Sequence, residues 1–97
     1  MSRRYGIRYA QEAVDDIRAL RTFDRRKVLD AIEHHLARQP QQESKSRIRA
    51  MAQPFWSQYR LRIDDFRVYY DIDASKLVVH ILRVLKKGTG PTAQAPC

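Results

Sequence analysis

Three arginines and a tyrosine, Arg60, Arg62, Arg67 and Tyr69, fall at alternate positions of two adjoining segments and carry the first chemical signal of this sequence. A guanidinium fork matches the paired oxygens of a phosphate, and a tyrosine ring offers a face on which a nucleobase can stack. Lys45, Arg47, Arg49, Lys86 and Lys87 add further cations in the same half of the chain. Together they read as a phosphate-binding groove. The plainer alternative is the solvated side of a β-sheet, since basic sheet faces bind many things. Nineteen Lys and Arg against eleven Asp and Glu leave a formal net charge of +8 over 97 residues, so the natural partner carries negative charge. Nucleic acid, an anionic membrane and an acidic protein all satisfy that requirement.

Other titratable residues carry less. His34 and His35 are helix neighbours about 100° apart, a separation that prevents them from chelating one metal together. His80 alternates with apolar residues and reads either as a general base or as a packed histidine. Asp64-Asp65 reads as a turn. Phe55 and Trp56, after Pro54, are expected to anchor the start of a strand to the core. The sequence contains no phosphate loop, dinucleotide fingerprint, nucleophile elbow or zinc spacing, so neither a metal nor a cofactor is expected. A single cysteine, Cys97, allows no internal disulfide, and no segment approaches the about 18 apolar residues of a membrane span. A cytoplasmic protein that does not engage the membrane is the expectation.

Period-2 patterning must position the arginines. Tyr5 to Tyr9 reads as a short strand, followed by a helix from Ala10 to Leu20 with Ala13, Val14, Ile17 and Leu20 inward and Glu12, Asp15, Asp16 and Arg18 outward. A second helix is expected from a cap at Asp24 to Pro40, with Val28, Leu29, Ile32 and Leu36 inward. Gln41 to Pro54 reads as a loop containing a short strand near Ile48. Trp56 to Ile63 and Phe66 to Ile72 alternate as strands joined by Asp64-Asp65. Their expected register sets Ile63 against Phe66, Arg62 against Arg67, Leu61 against Val68, Arg60 against Tyr69 and Tyr59 against Tyr70. Leu77 to Leu85 is nearly all apolar, as in an interior strand. The expected fold is α+β, in the order β-α-α-β-β-β: a helical hairpin on one face of a mostly antiparallel curved sheet whose other face is open and basic. Residues 1–87 read as one domain and 88–97 as a flexible tail.

The run from Trp56 to Ile72, followed by Leu77 to Val84, resembles the RelE/ParE superfamily of toxins from type II toxin–antitoxin modules. The helical pair and Arg47-Ile48-Arg49-Ala50-Met51 also fit, so the likeness spans residues 5 to about 87. It implies a small basic toxin held inactive by a cognate antitoxin. It further implies one of two activities: RelE-like cleavage of mRNA on the ribosome, which leads, or ParE-like inhibition of DNA gyrase. A catalytically weak homologue that mainly binds antitoxin is a third reading. Set against the RelE pattern, Gln58 and Arg60 occupy the two lysine positions, Arg67 the arginine of the next strand, and Lys87 or Lys86 the last basic position. No tyrosine follows Tyr70. The resemblance therefore implies Arg60, Arg67 and Lys87 as catalytic cations, with Lys45, Arg47, Arg49, Arg62, Tyr69 and Lys86 contacting RNA.

Overall fold

The computed structural model describes residues 4–37, 48–52 and 54–86. Its elements are β1 (Gly6–Tyr9), α1 (Gln11–Arg18), α2 (Thr22–Leu36), β2 (Ile48–Ala50), β3 (Tyr59–Ile63), β4 (Phe66–Asp73) and β5 (Val78–Lys86). The strands form one sheet in the order β1-β5-β4-β3-β2. β1 runs parallel to β5, and every other pairing is antiparallel.

Alternation along β3 and β4 drives this arrangement. Leu61, Ile63, Phe66, Val68 and Tyr70 all turn to one face and are buried there with Ala13, Ile17, Val28, Ile32 and Leu36 of the helices. The β3–β4 register is the one the sequence demands, pair for pair from Ile63–Phe66 to Tyr59–Tyr70. A one-residue slip would have moved the whole apolar set into water. β2 extends the same logic, because Ile48 lies against Leu61 and continues the buried row through Val68 to Val84.

Several boundaries differ from the expectation. The second helix starts at Thr22 with Arg21 in the cap position, so Asp24 sits in the first turn, where its charge favours the helix N-terminus. The turn into this helix is held by Arg25, whose guanidinium donates to the backbone oxygens of Ile17, Arg18 and Leu20. The Arg18 and Leu20 carbonyls lie at and just beyond the end of α1, where the helix supplies few donors, and the Ile17 carbonyl also accepts the Leu20 N–H at 3.1 Å. α2 closes at Leu36 with Ala37 as its cap, and the expected stop at Pro40 lies outside the described residues. β3 begins at Tyr59 rather than Trp56, because the ladder gives way there to side-chain bonds. Asp71 accepts the Gln58 backbone N–H at 2.7 Å, and the Gln58 side-chain oxygen accepts the Ile72 N–H at 2.9 Å.

β5 starts at Val78, with Leu77 left in the preceding turn at a φ of 55°. Its continuous apolar pattern has two causes. The strand is interior, paired on both sides over Val78–Ile81, and it carries an irregularity opposite Tyr69/Tyr70 where the partners skip from Ile81 to Arg83. Leu82 is the extra residue, and the bulge lets Ile81 and Val84 both face the core although they are three apart. Beyond the end of β1, α1 takes over the free flank of β5. Asp16 accepts the Val84 N–H at 2.9 Å and the Arg83 guanidinium through Nε at 2.8 Å and Nη2 at 3.0 Å. Asp16 therefore faces the sheet and is not part of the solvated outer side of the helix.

Candidate nucleic-acid interface

On the face turned away from the helices, three cross-strand rows follow from the register. One sets Arg62 against Arg67 and Leu85; the next sets Arg49, Arg60, Tyr69 and Arg83 side by side; the third runs from Asp71 through His80 to Arg8. Arg49 and Arg62 are exposed, while Arg60 and Arg67 are half-buried. The sheet thus brings Arg49, Arg60, Arg62 and Arg67 together. Lys86 is the exposed last residue of β5, opposite Phe66. Lys45, Arg47 and Lys87 lie outside the described residues.

Among the described residues no carboxylate forms an ion pair with any of these four arginines. Arg67 makes only long contacts, 3.4 Å each, to the backbone oxygens of Asp64 and Phe66. Arg60 is the most constrained of the set. Its Nε is buried and has no hydrogen-bond partner. Burial lowers its pKa first, and repulsion from Arg67, Arg49 and Arg62 acts in the same direction, partly offset by Tyr69. A guanidinium in that setting gains from any anion that reaches it, since a buried donor without a partner costs about 1–3 kcal/mol. The face has the cations to hold a phosphate and to stabilise added negative charge on phosphorus.

Two sequence expectations about aromatic residues are corrected. Tyr69 does not offer a free ring: it is only 5% exposed, with the Trp56 ring at 4.6 Å and the Phe55 ring at 6.0 Å between centroids. Phe55 and Trp56 consequently do not anchor the helix-side core. They fold over the opposite face, stacked on each other at 5.0 Å, and Trp56 remains 41% exposed. Trp56 is therefore the aromatic surface that a base could reach. The sequence hinted at this only through the Pro54 bend that precedes the pair.

The proton-transfer candidates also sort themselves. Gln58, at the first lysine position of the RelE pattern, spends its side chain on the Ile72 amide. Tyr69 is covered. His80 stands half-buried on the open face between Arg8 and Asp71. His34 and His35 meet each other edge to face at 4.8 Å on α2. Asp64 bonds Lys27 of α2 at 2.8 Å and holds the β3–β4 turn to that helix. Among the described residues no three His, Cys, Asp or Glu side chains gather as a metal site, and no helix is long and apolar enough to cross a membrane.

A family model described as ParE toxin of the type II toxin–antitoxin system, parDE, matches residues 7–89. The chain belongs to the ParE toxin family. It is therefore a type II toxin–antitoxin toxin of the RelE/ParE superfamily. Among solved structures the toxin is similar to a chain of the toxin–antitoxin complex RelBE2 from Mycobacterium tuberculosis, with a TM-score of 0.76 and 22% identity over 89% of this chain and 94% of that one. It is similar to a chain of the archaeal RelE–RelB complex from Pyrococcus horikoshii at a TM-score of 0.65 and 22% identity, covering 89% and 98%. The isolated E. coli RelE toxin gives a TM-score of 0.66 at 15% identity, covering 93% of this toxin and 92% of that chain. At these identities the likeness is one of fold. Among curated protein sequences none matches the toxin.

Proposed function

We propose that the toxin inhibits translation as a ribosome-dependent mRNA endoribonuclease, and that a cognate antitoxin neutralises it by covering the arginine face. The observation that carries this reading is the buried, unpartnered Nε of Arg60 among three other uncompensated arginines. Arg60 and Arg67 hold the scissile phosphate and stabilise the extra charge formed as the ribose 2′-oxygen attacks phosphorus and the bond to the 5′-oxygen breaks, leaving a 2′,3′-cyclic phosphate and a 5′-hydroxyl end that takes its proton from water. Lys87, outside the described residues, joins them as the third catalytic cation. Arg49 and Arg62 track the neighbouring phosphates, with Lys45 and Arg47 continuing the basic segment, whereas Lys86, in register with the core-facing Phe66, does not share their face. Arginine stays protonated, so it does not take the attacking proton. His80, on the same face, has the chemistry to do so.

Inhibition of DNA gyrase is the second reading. It is favoured by the match to the ParE family and by the diversion of Gln58 to the Ile72 amide. Induction of the toxin in growing cells separates the two. Mapping of mRNA 5′ ends on ribosomes should give new cleavage sites within one generation, absent with Arg67→Ala. Trapped gyrase–DNA breaks with intact mRNA would overturn the ribonuclease reading.

A further inference from the structure

The aromatic cover of Tyr69 leaves a cleft of about 390 Å3 beside the arginine rows, lined by Ala10 and Glu12 at the start of α1, by Trp56, and by Leu82 and Arg83 of β5. That volume lies in the range of small-molecule sites. Trp56 is held by stacking with Phe55 at 5.0 Å and by the tilted Tyr69 ring at 4.6 Å, yet 41% of it stays exposed. Arg83 is fixed in one orientation by the two-pronged bond to Asp16, so its guanidinium is a positioned plane and not a mobile charge. Glu12 is exposed and lines the cleft. Arg83 also lies in the same cross-strand row as Arg49 and Arg60, which sets the cleft next to the proposed phosphate track.

The geometry points to a base-reading subsite that takes one unstacked guanine of a single-stranded RNA, lying between Trp56 and Arg83 with its Watson–Crick edge toward Glu12. This inference rests on the RNA-binding reading above. Single-stranded bases are recognised by stacking on aromatic rings or guanidinium planes, and those are the two walls available. The choice of base follows from Glu12. A carboxylate at neutral pH only accepts hydrogen bonds, with two oxygens side by side. Guanine alone presents two adjacent donors, N1–H and the 2-amino group. Adenine and cytosine set a ring acceptor beside their amino group, and uracil flanks N3–H with two carbonyls. Either arrangement leaves an acceptor facing an acceptor.

Trp56 is the sole tryptophan of the chain and so reports directly on its own cleft. The test titrates the full-length toxin with hexauridylate and with the same RNA carrying one central guanosine, adenosine or cytidine, following tryptophan fluorescence and, independently, fluorescence anisotropy. The guanosine RNA should bind about tenfold more tightly than the other three and quench Trp56. Glu12→Gln should bring its affinity down to that of the adenosine RNA. Trp56→Phe, which keeps an aromatic wall, should retain part of the guanosine preference by anisotropy, and Trp56→Ala should abolish it. Equal affinity for all four RNAs, or binding that leaves Trp56 emission unchanged, overturns the subsite while leaving the arginine track standing. Failure of every RNA to bind, hexauridylate included, overturns both readings.

Discussion

Arg62 and Arg67 face each other directly across the β3–β4 ladder, and no carboxylate of the described residues neutralises either one. Like charges in directly opposite sheet positions destabilise the pairing by a few tenths to about 1 kcal/mol. The free toxin therefore gives up stability at the place where the proposed function puts an RNA phosphate. Arg62→Gln should raise the stability of the isolated toxin by about 0.5 kcal/mol in urea unfolding while lowering its affinity for RNA. An unchanged or reduced midpoint would show that the two guanidinium groups do not repel.

Asp15 and Asp16 are neighbours in the sequence and differ sharply in the structure. Asp16 supports the Val84 N–H and both prongs of Arg83, whereas Asp15 accepts one exposed bond from the Gln11 side chain at 3.0 Å. Asp16→Ala strands a backbone donor and a guanidinium on the flank of β5 and should cost about 2–3 kcal/mol. Asp15→Ala should stay within about 0.5 kcal/mol of the parent. Chemical unfolding of the two variants side by side checks the contrast.

That contrast also marks how far the sequence could be read. Period-2 alternation fixed the β3–β4 register because Tyr59, Leu61 and Ile63 have only one pairing that buries them with Phe66, Val68 and Tyr70. The arginine face followed from the same alternation. The β5 bulge at Leu82 left no trace, since a strand apolar almost throughout looks the same with or without an extra residue. Asp16 and Asp15 both read as outward, because helical periodicity says nothing of a strand flank that needs a carboxylate. The fold of Phe55 and Trp56 onto Tyr69 depends on an irregular segment, for which neither period applies.

The β4–β5 turn should respond to acid. The Asp73 carboxylate accepts the Ser75 hydroxyl at 2.7 Å and the Lys76 N–H at 3.1 Å, and the Ser75 bond, then the Lys76 backbone bond, pull its pKa below the ordinary 3.8. A depressed carboxylate contributes stability that is fully present above its unfolded value and is lost as pH falls through the folded one. Amide exchange at Lys76 should therefore be protected and constant above about pH 5, with protection falling away below 3.8. Asp73→Ala should remove that protection at every pH. An acid dependence surviving in the variant would assign the effect to another group.

Arg60 should set the salt response of RNA binding more than its exposure suggests. Each phosphate neutralised on a single strand releases condensed counterions and steepens the fall of log affinity with log salt by about 0.7. Arg60 lacks a partner at its buried Nε and lies beside Arg49 and Arg67, so a phosphate bound there is shielded from competing ions. Arg60→Ala should lower the slope by about 0.7 and weaken binding at physiological salt by roughly tenfold. Arg8, on β1 at the far side of His80, serves as the comparison, because it lies away from the arginine rows. Arg8→Ala should shift the slope by less than half as much. Equal slopes for the two variants would mean that RNA feels only the overall positive charge of the toxin, and that the cross-strand rows do not form a track.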